Sequence, residues 1–401
     1  MKRQKVFSNN EIKFLASMGL VMGFRELALS MLDPFITIYG KTLVGNTTFL
    51  CGLALGIYGL TNAAFQIPYG SLSDRIGRKP VILIGLIQLF IGLLLAGLTK
   101  NIYLFILARA LQGSGAVTAI AYSWIGDNIE DSKKNRAMGI AGIIIALGAL
   151  VAFVIGPILY NIMDVNSMFL WCSFFILVAI LFINFSVEDS SHNQQRFISH
   201  KDGIAIKEIK ILLKNKYIIL LGICGFIFNF ALSEMFFIVP DQLRKEIGVK
   251  NMWYVFLPAV ILGIVIMNIG TMLSDNGYFT LATITAFFML AFGFIALICS
   301  TLLATFIGTI LIVSSFMCLT TVIPSSLNKF LDKNKRGAAN GLFQTLAFSG
   351  FFTGSTVAGF VLEHNYMILI YMVPISLSII GSLCINCIKS TAPSLIPSVD
   401  N

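Results

Sequence analysis

Charge is scarce in this chain: only 12% of its 401 residues are Asp, Glu, Lys or Arg, while 57% are apolar. A soluble core could not absorb that much apolar surface, but a lipid bilayer can. Histidine is nearly missing, and of the three copies His192 and His200 share one central polar segment while His364 stands alone. Such a set supplies neither a metal cluster nor a hydrolytic triad. No Gly-x-x-x-x-Gly-Lys-Ser/Thr run occurs, so nothing supports ATP as a driving force. The seven cysteines (Cys51, Cys172, Cys224, Cys299, Cys318, Cys384, Cys387) all fall in apolar runs. They form no disulfide framework, Cys384-x-x-Cys387 has no partner pair for zinc, and they read as small core residues. No catalytic residue, metal, cofactor or enzymatic activity is expected.

What the chain does have is long apolar runs. Segments of spanning length fall near 13–39, 50–69, 81–99, 102–126, 137–160, 168–186, 217–239, 252–273, 279–298, 300–323, 338–362 and 366–388. Each can cross a bilayer core of roughly 30 Å at about 1.5 Å per helical residue. The first begins after Lys13 without a small-residue cleavage site, so a retained span is expected and not a signal peptide. The net charge of +9 lies in short loops between spans, which argues against nucleic acid as a partner. With the N-terminus inside, twenty-one Lys and Arg fall on the cytoplasmic side against five outside (Lys41, Lys100, Arg244, Lys245, Lys250). That bias predicts both termini in the cytoplasm.

Between the second and third runs stands Gly70-Ser71-Leu72-Ser73-Asp74-Arg75-Ile76-Gly77-Arg78-Lys79-Pro80, read as a tight, basic, glycine-bracketed turn. It resembles the cytoplasmic signature of the major facilitator superfamily, Gly-x-Leu-x-Asp-Arg-x-Gly-Arg-Lys. In the fourth run, Arg109-Ala110-Leu111-Gln112-Gly113-Ser114-Gly115-Ala116 resembles that family's Arg-x-x-Gln-Gly-x-Gly-Ala motif. The stretch Gly56 to Gly70, with Arg25 ahead of Pro34 to Gly40, is similar to the YajR-type bacterial transporters. Their extra C-terminal soluble domain is expected to be absent, because only about a dozen polar residues follow Cys387. The antiporter signature of the fifth span is matched only in part, by Gly148 and Gly156-Pro157.

The resemblance implies an all-α membrane protein with twelve helices in two six-helix bundles related by pseudo-two-fold symmetry. The expected division is 1–186, a cytoplasmic linker 187–216 with an amphipathic stretch at Ile204–Leu213, and 217–401. Lys133-Lys134-Asn135-Arg136 after the fourth span is echoed by Lys333-Asn334-Lys335-Arg336 after the tenth, as a repeat of six spans requires. The resemblance also implies a gate. Asp74 would dock at the start of the eleventh helix, Gly337 to Gly341, and favour the outward-open state, because a helix N-terminus carries about half a positive charge. Arg78 would anchor to Asp127 at the end of span four, Gly70 and Gly77 would permit close packing and the turn, and Arg75 and Lys79 complete the basic set. The alternative for Asp74 is an ordinary surface ion pair.

Charges inside spans mark functional sites by default, since each costs at least about 2.5–3.5 kcal/mol unless paired or hydrated. Arg109 is implied to modulate proton coupling; the alternative is an arginine that snorkels outward or braces helices through Gln112. Glu26 and Asp33 are seven residues apart, hence on nearly one helix face, with Arg25 beside it. Either they exchange protons against a cationic substrate, or Arg25 neutralises one of them in a salt bridge. Glu234, in Ala231-Leu232-Ser233-Glu234, echoes Ala28-Leu29-Ser30 and is placed either on the substrate path or near the outer interface. Phe351-Phe352 read as lipid-facing filler, with stacking on aromatic drugs as the alternative, and Glu363-His364 as solvated. The function expected is a monomeric secondary transporter of a bacterial inner membrane, exchanging protons for exported amphipathic or drug-like molecules by alternating access. A proton-coupled importer of a metabolite or sugar, and a sensor or lipid scramblase, stay open as alternatives.

Overall fold

The computed structural model describes residues 7–130, 133–186, 212–331 and 336–391. Among them every regular element is helical, apart from one isolated bridge between Val44 and Asn101. Twelve helices or helix pairs are long and apolar enough to span a membrane. In order they are Asn9–Gly40, Thr48–Ile76, Arg78–Leu98, Ile102–Asn128, Arg136–Leu159, Val165–Phe185, Lys216–Glu246, Val249–Asp275, Phe279–Ile298, Leu302–Lys329, Ala338–Glu363 and Leu369–Ile388. Most of the expected linker 187–216, most of Ile204–Leu213, and Lys333-Asn334-Lys335 lie outside the described residues.

The starts of these helices are written in their caps. Ser8 and Glu11 form a reciprocal capping box, and Thr47, Asn101, Asn215 and Thr301 each accept a backbone N–H from the first turn. The ends are less obedient to hydropathy. The second span runs through Pro68 to Ile76, and the seventh through Pro240 to Glu246, several residues past the apolar run. A helix leaving lipid keeps its backbone bonded by continuing until something stops it. Here Gly77, at φ 99°, does so, a conformation that side chains rarely adopt. Residues 70–76 are therefore helix, and the turn is Gly77 alone.

Two spans are broken in mid-course. In the first, a helix ends at Ser30, Asp33–Phe35 form a 3-10 turn with Pro34 supplying no N–H, and Ile36–Gly40 resume. In the fourth, Gly115-Ala116-Val117 separate Ile102–Ser114 from Thr118–Asn128. Irregular backbone at membrane depth is tolerated only where protein covers it, and both breaks face the interior of the same group of helices.

Packing sorts the spans into two groups. The first packs on the fifth and sixth, and the fourth on the second and third; the seventh packs on the tenth, eleventh and twelfth, and the tenth on the eighth and ninth. The groups meet where the second span lies on the eleventh, the fifth on the eighth and the first on the seventh. On the second–eleventh seam Gly52 and Gly56 lie against Ser355, Phe352 and Gly359 so closely that a Cβ would overlap them. Polar contacts between the groups cluster at the same end. Thr37 Oγ1 donates to the Phe236 carbonyl at 3.3 Å, Lys41 Nζ lies 3.3 Å from Asp241 Oδ1, and the Phe49 N–H donates to Glu363 Oε2 at 2.7 Å. All of these lie at the face opposite the 70–80 motif. Toward the motif's face, a Cβ on Gly70, Gly139 or Gly341 would meet nothing within 4 Å. The bundles are drawn together at one face and looser at the other.

Candidate functional site

The two helix breaks bring four charged side chains together. Arg109, fully buried, places Nη2 3.2 Å from Asp33 Oδ1, donates from Nη1 to Gln112 Oε1 at 2.7 Å, and donates from Nε to the Ala54 carbonyl at 3.3 Å. Its guanidinium also lies over the Tyr58 ring, 5.2 Å from the centroid. Gln112 Nε2 in turn donates to the Gly92 carbonyl at 3.1 Å, tying spans three and four. Arg25 uses the other break: Nη2 donates to the Gly115 carbonyl at 3.2 Å, which also accepts the Val117 N–H at 2.9 Å, and Nη1 to Thr118 Oγ1 at 3.3 Å. Arg25 Nη1 is also 3.6 Å from Glu26 Oε2, and Glu26 Oε1 accepts from Ser30 at 3.4 Å. Each carboxylate of the first span thus has its own arginine. Arg25 lies beside Glu26 and Arg109 beside Asp33; the picture of Glu26 and Asp33 on one unbroken helix face is corrected, because the helix is interrupted at Asp33–Phe35. Arg109 does not snorkel, since none of it reaches solvent. Glu26 is the most open member, its side chain 29% exposed.

At the motif face Arg78 is the hub. Its Nε donates to Asp127 Oδ2 at 3.0 Å, and its Nη1 reaches Asp74 Oδ1 at 2.5 Å and Ser73 Oγ at 2.6 Å. Lys79 donates to the Asn184 carbonyl at 3.0 Å, where a cation suits a helix C-terminus. Arg75 is exposed on the last turn of the second span. The structure therefore brings Arg78 to Asp127, while half-exposed Asp74 is held by Arg78. The implied dock of Asp74 onto Gly337–Gly341 is not formed among the described residues. Glu234 is fully buried, and among the described residues neither carboxyl oxygen has a hydrogen-bond partner. Phe351 is not lipid-facing, since it is buried, with its ring centroid 6.5 Å from that of Phe236.

The comparisons fall on the same ground. The family model for the Major Facilitator Superfamily matches residues 18–355. The chain belongs to the Major Facilitator Superfamily. This facilitator is 27% identical over 356 residues to the inner membrane transport protein YajR of Escherichia coli, covering 86% of the chain and 76% of YajR. It is 27% identical over 234 residues, 57% of each protein, to the multi-drug resistance efflux pump PmrA of Streptococcus pneumoniae. Among solved structures, a POT family transporter in complex with a thioalcohol conjugated peptide superposes with a TM-score of 0.74 at 13% identity, covering 95% of this chain and 96% of that one. That likeness shows the fold. The facilitator is a multi-pass membrane transporter, not an enzyme.

Two of its residues escaped the sequence reading. Tyr58 was noticed only as part of a resemblance, yet it stacks under Arg109 and meets Phe348 of the eleventh span at 6.3 Å, edge to face. Its place four residues before Asn62 in an otherwise apolar span was the available signal. Glu363 is exposed, as read, but it also caps the start of the second span across the bundle interface, a role the sequence did not show. Nothing local announces that partner, which lies 314 residues away.

Proposed function

We propose that this facilitator exports amphipathic, drug-like compounds in exchange for protons. It works by alternating access in a bacterial inner membrane, with both termini and the 70–80 motif cytoplasmic. The observation that carries the reading is the paired charge cluster of Arg25, Glu26, Asp33 and Arg109 inside the first bundle. An unbalanced charge at that depth costs at least about 2.5–3.5 kcal/mol, so a carboxylate there must be matched by an arginine, a bound cation or a proton. Glu26 is the partly open member and the more loosely held, so it is the group that meets substrate from the cytoplasmic side. A cation arriving there displaces a proton, and a proton arriving displaces the cation; that competition is exchange. The Asp33–Arg109 pair lies deeper and senses the occupant through the first span. The aromatic surface of Tyr58, Phe348 and Phe351 between the bundles favours an amphipathic solute over a sugar.

The asymmetry of contacts fits the inward-open state, with the outer face shut by Gly52 and Gly56 on the eleventh span and by Glu363 on the second. In the opposite state Asp74 leaves Arg78 for the start of the eleventh helix. The test is a panel of cationic and neutral dyes in proteoliposomes under an imposed pH gradient. Wild-type protein should accumulate a cationic dye against its gradient. Glu26→Gln should lose that accumulation while keeping downhill equilibration. Solute moving in the same direction as protons would establish the importer, and lipid flipping without solute flux the scramblase.

A further inference from the structure

The first and seventh spans carry the same acid pair at the same place, but only one is balanced. Their caps, Ser8 and Asn215, are 207 residues apart, while Glu234 follows Glu26, and Asp241 follows Asp33, by 208. Glu234 is thus the second bundle's counterpart of Glu26 to within one residue. In the first bundle Arg25 stands 3.6 Å from Glu26 and Arg109 3.2 Å from Asp33. In the second, Asp241 is served by Lys41, Arg244 and Lys245, and Glu234 has no cation and no donor.

Among the described residues the surrounding elements do not supply one. On the eleventh span Glu363 is taken by Phe49; on the tenth, Lys329 is paired with Asp275 at the motif face, and Cys318 carries no positive charge. The twelfth offers Tyr371, bonded by Gln242, with Cys384 and Cys387; the described residues of the ninth carry no ionisable side chain before Cys299. From the first and second spans come Asp33, held by Arg109, Lys41, held by Asp241, and the neutral Tyr39, Cys51 and Tyr58. A buried carboxylate with no protein donor or cation beside it is most cheaply kept by taking a proton.

We propose that Glu234 is a second proton-binding site, loaded from the opposite face when that face opens, holding its proton in this conformation and giving it up toward the motif face when substrate binds. Asp241 provides the route. It lies seven residues on, about 10.5 Å along the same helix face, and its contact with Lys41 joins the two bundles at the closed end. Parting the bundles breaks that contact and admits water to the face of the seventh span that carries both acids. The inference rests on the proton-coupled reading but fails separately from it.

The experiment combines infrared spectroscopy with substrate-triggered proton release from detergent-solubilised protein. Wild-type protein should show a protonated-carboxyl C=O band that disappears in Glu234→Gln, and the same variant should release half as many protons per substrate. Glu234→Asp, which keeps the acid, should restore release and shift the band. In a protein with Glu234 intact, Lys41→Met should speed deuterium exchange of that band several-fold, so the proposal is testable even where Glu234→Gln fails to fold. A band unchanged in Glu234→Gln, full proton release from it, or exchange indifferent to Lys41 would overturn the assignment. Absence of any proton release from the wild type would instead sink proton coupling as a whole.

Discussion

Arg109 can be charged without touching solvent because acceptors of three kinds surround it: the Asp33 carboxylate, the Gln112 amide oxygen and the Ala54 carbonyl, with the Tyr58 ring on one face. Removing one partner of such a pair strands the other, which costs about 3–5 kcal/mol, whereas removing both can be nearly neutral. Asp33→Asn and Arg109→Met are each expected to lower thermal stability in detergent on that scale, and the double variant Asp33→Leu/Arg109→Met to recover most of it. Proton-driven transport should stay lost in all three. Recovery of transport with stability would make the pair a brace and not part of coupling. The sequence displayed both residues but not their meeting. Helix-face arithmetic put Asp33 with Glu26 on an unbroken first span, and Pro34 defeats it by ending the regular ladder just where Asp33 stands. Gln112 was legible because it sits one turn from Arg109; Tyr58, four residues before Asn62, signalled a polar stripe in its span but not the arginine that lies across from it.

The second and eleventh spans pack along each other, and each carries a carboxylate at its end, Asp74 and Glu363. Glu363 uses that geometry at one face, accepting from the Phe49 N–H. Asp74 is placed to use it at the other but is held by Arg78 instead. Two such latches cannot both close if the bundles rock about their middle. Glu363→Gln should therefore weaken the closed end and raise cysteine accessibility at the outer face several-fold. Asp74→Asn should act in the opposite sense, lowering outer and raising inner accessibility. The second effect is bounded by the value of an exposed ion pair, about 0–1 kcal/mol, because that is what Asp74 gives up here. Same-sign shifts in the two variants would refute a reciprocal pair. At this scale the sequence was generous. Twelve apolar lengths located the spans closely, because lipid demands a minimum helix length. It was silent on helix ends beyond the bilayer, where only a stop such as Gly77 decides the matter.

At the scale of the whole molecule, the charged loops and the repeated basic run disclosed two sets of six spans, but not which face is shut. In the proposed alternating access both states would be arrangements of one sequence separated by about a few kcal/mol, so no residue pattern names the favoured one. The seam itself shows how the choice is made. Gly52 and Gly56 allow backbone-to-backbone approach on the eleventh span, and Lys41 with Asp241 marks the same end from the first and seventh. That ion pair is partly solvent-exposed and stabilises little by itself, so its value is as a gauge of separation. In a background with all seven native cysteines replaced by serine, Lys41→Cys and Asp241→Cys joined by a short cleavable cross-linker should arrest transport, and cleavage should restore it. Binding from the motif face should persist in the cross-linked protein, since that side stays loose. A bulky Gly56→Leu should act inversely, wedging the seam apart and raising outer accessibility while the helices stay inserted. Full flux through the cross-linked protein would mean that the bundles need not part at this face, and alternating access about the second–eleventh seam would have to be abandoned.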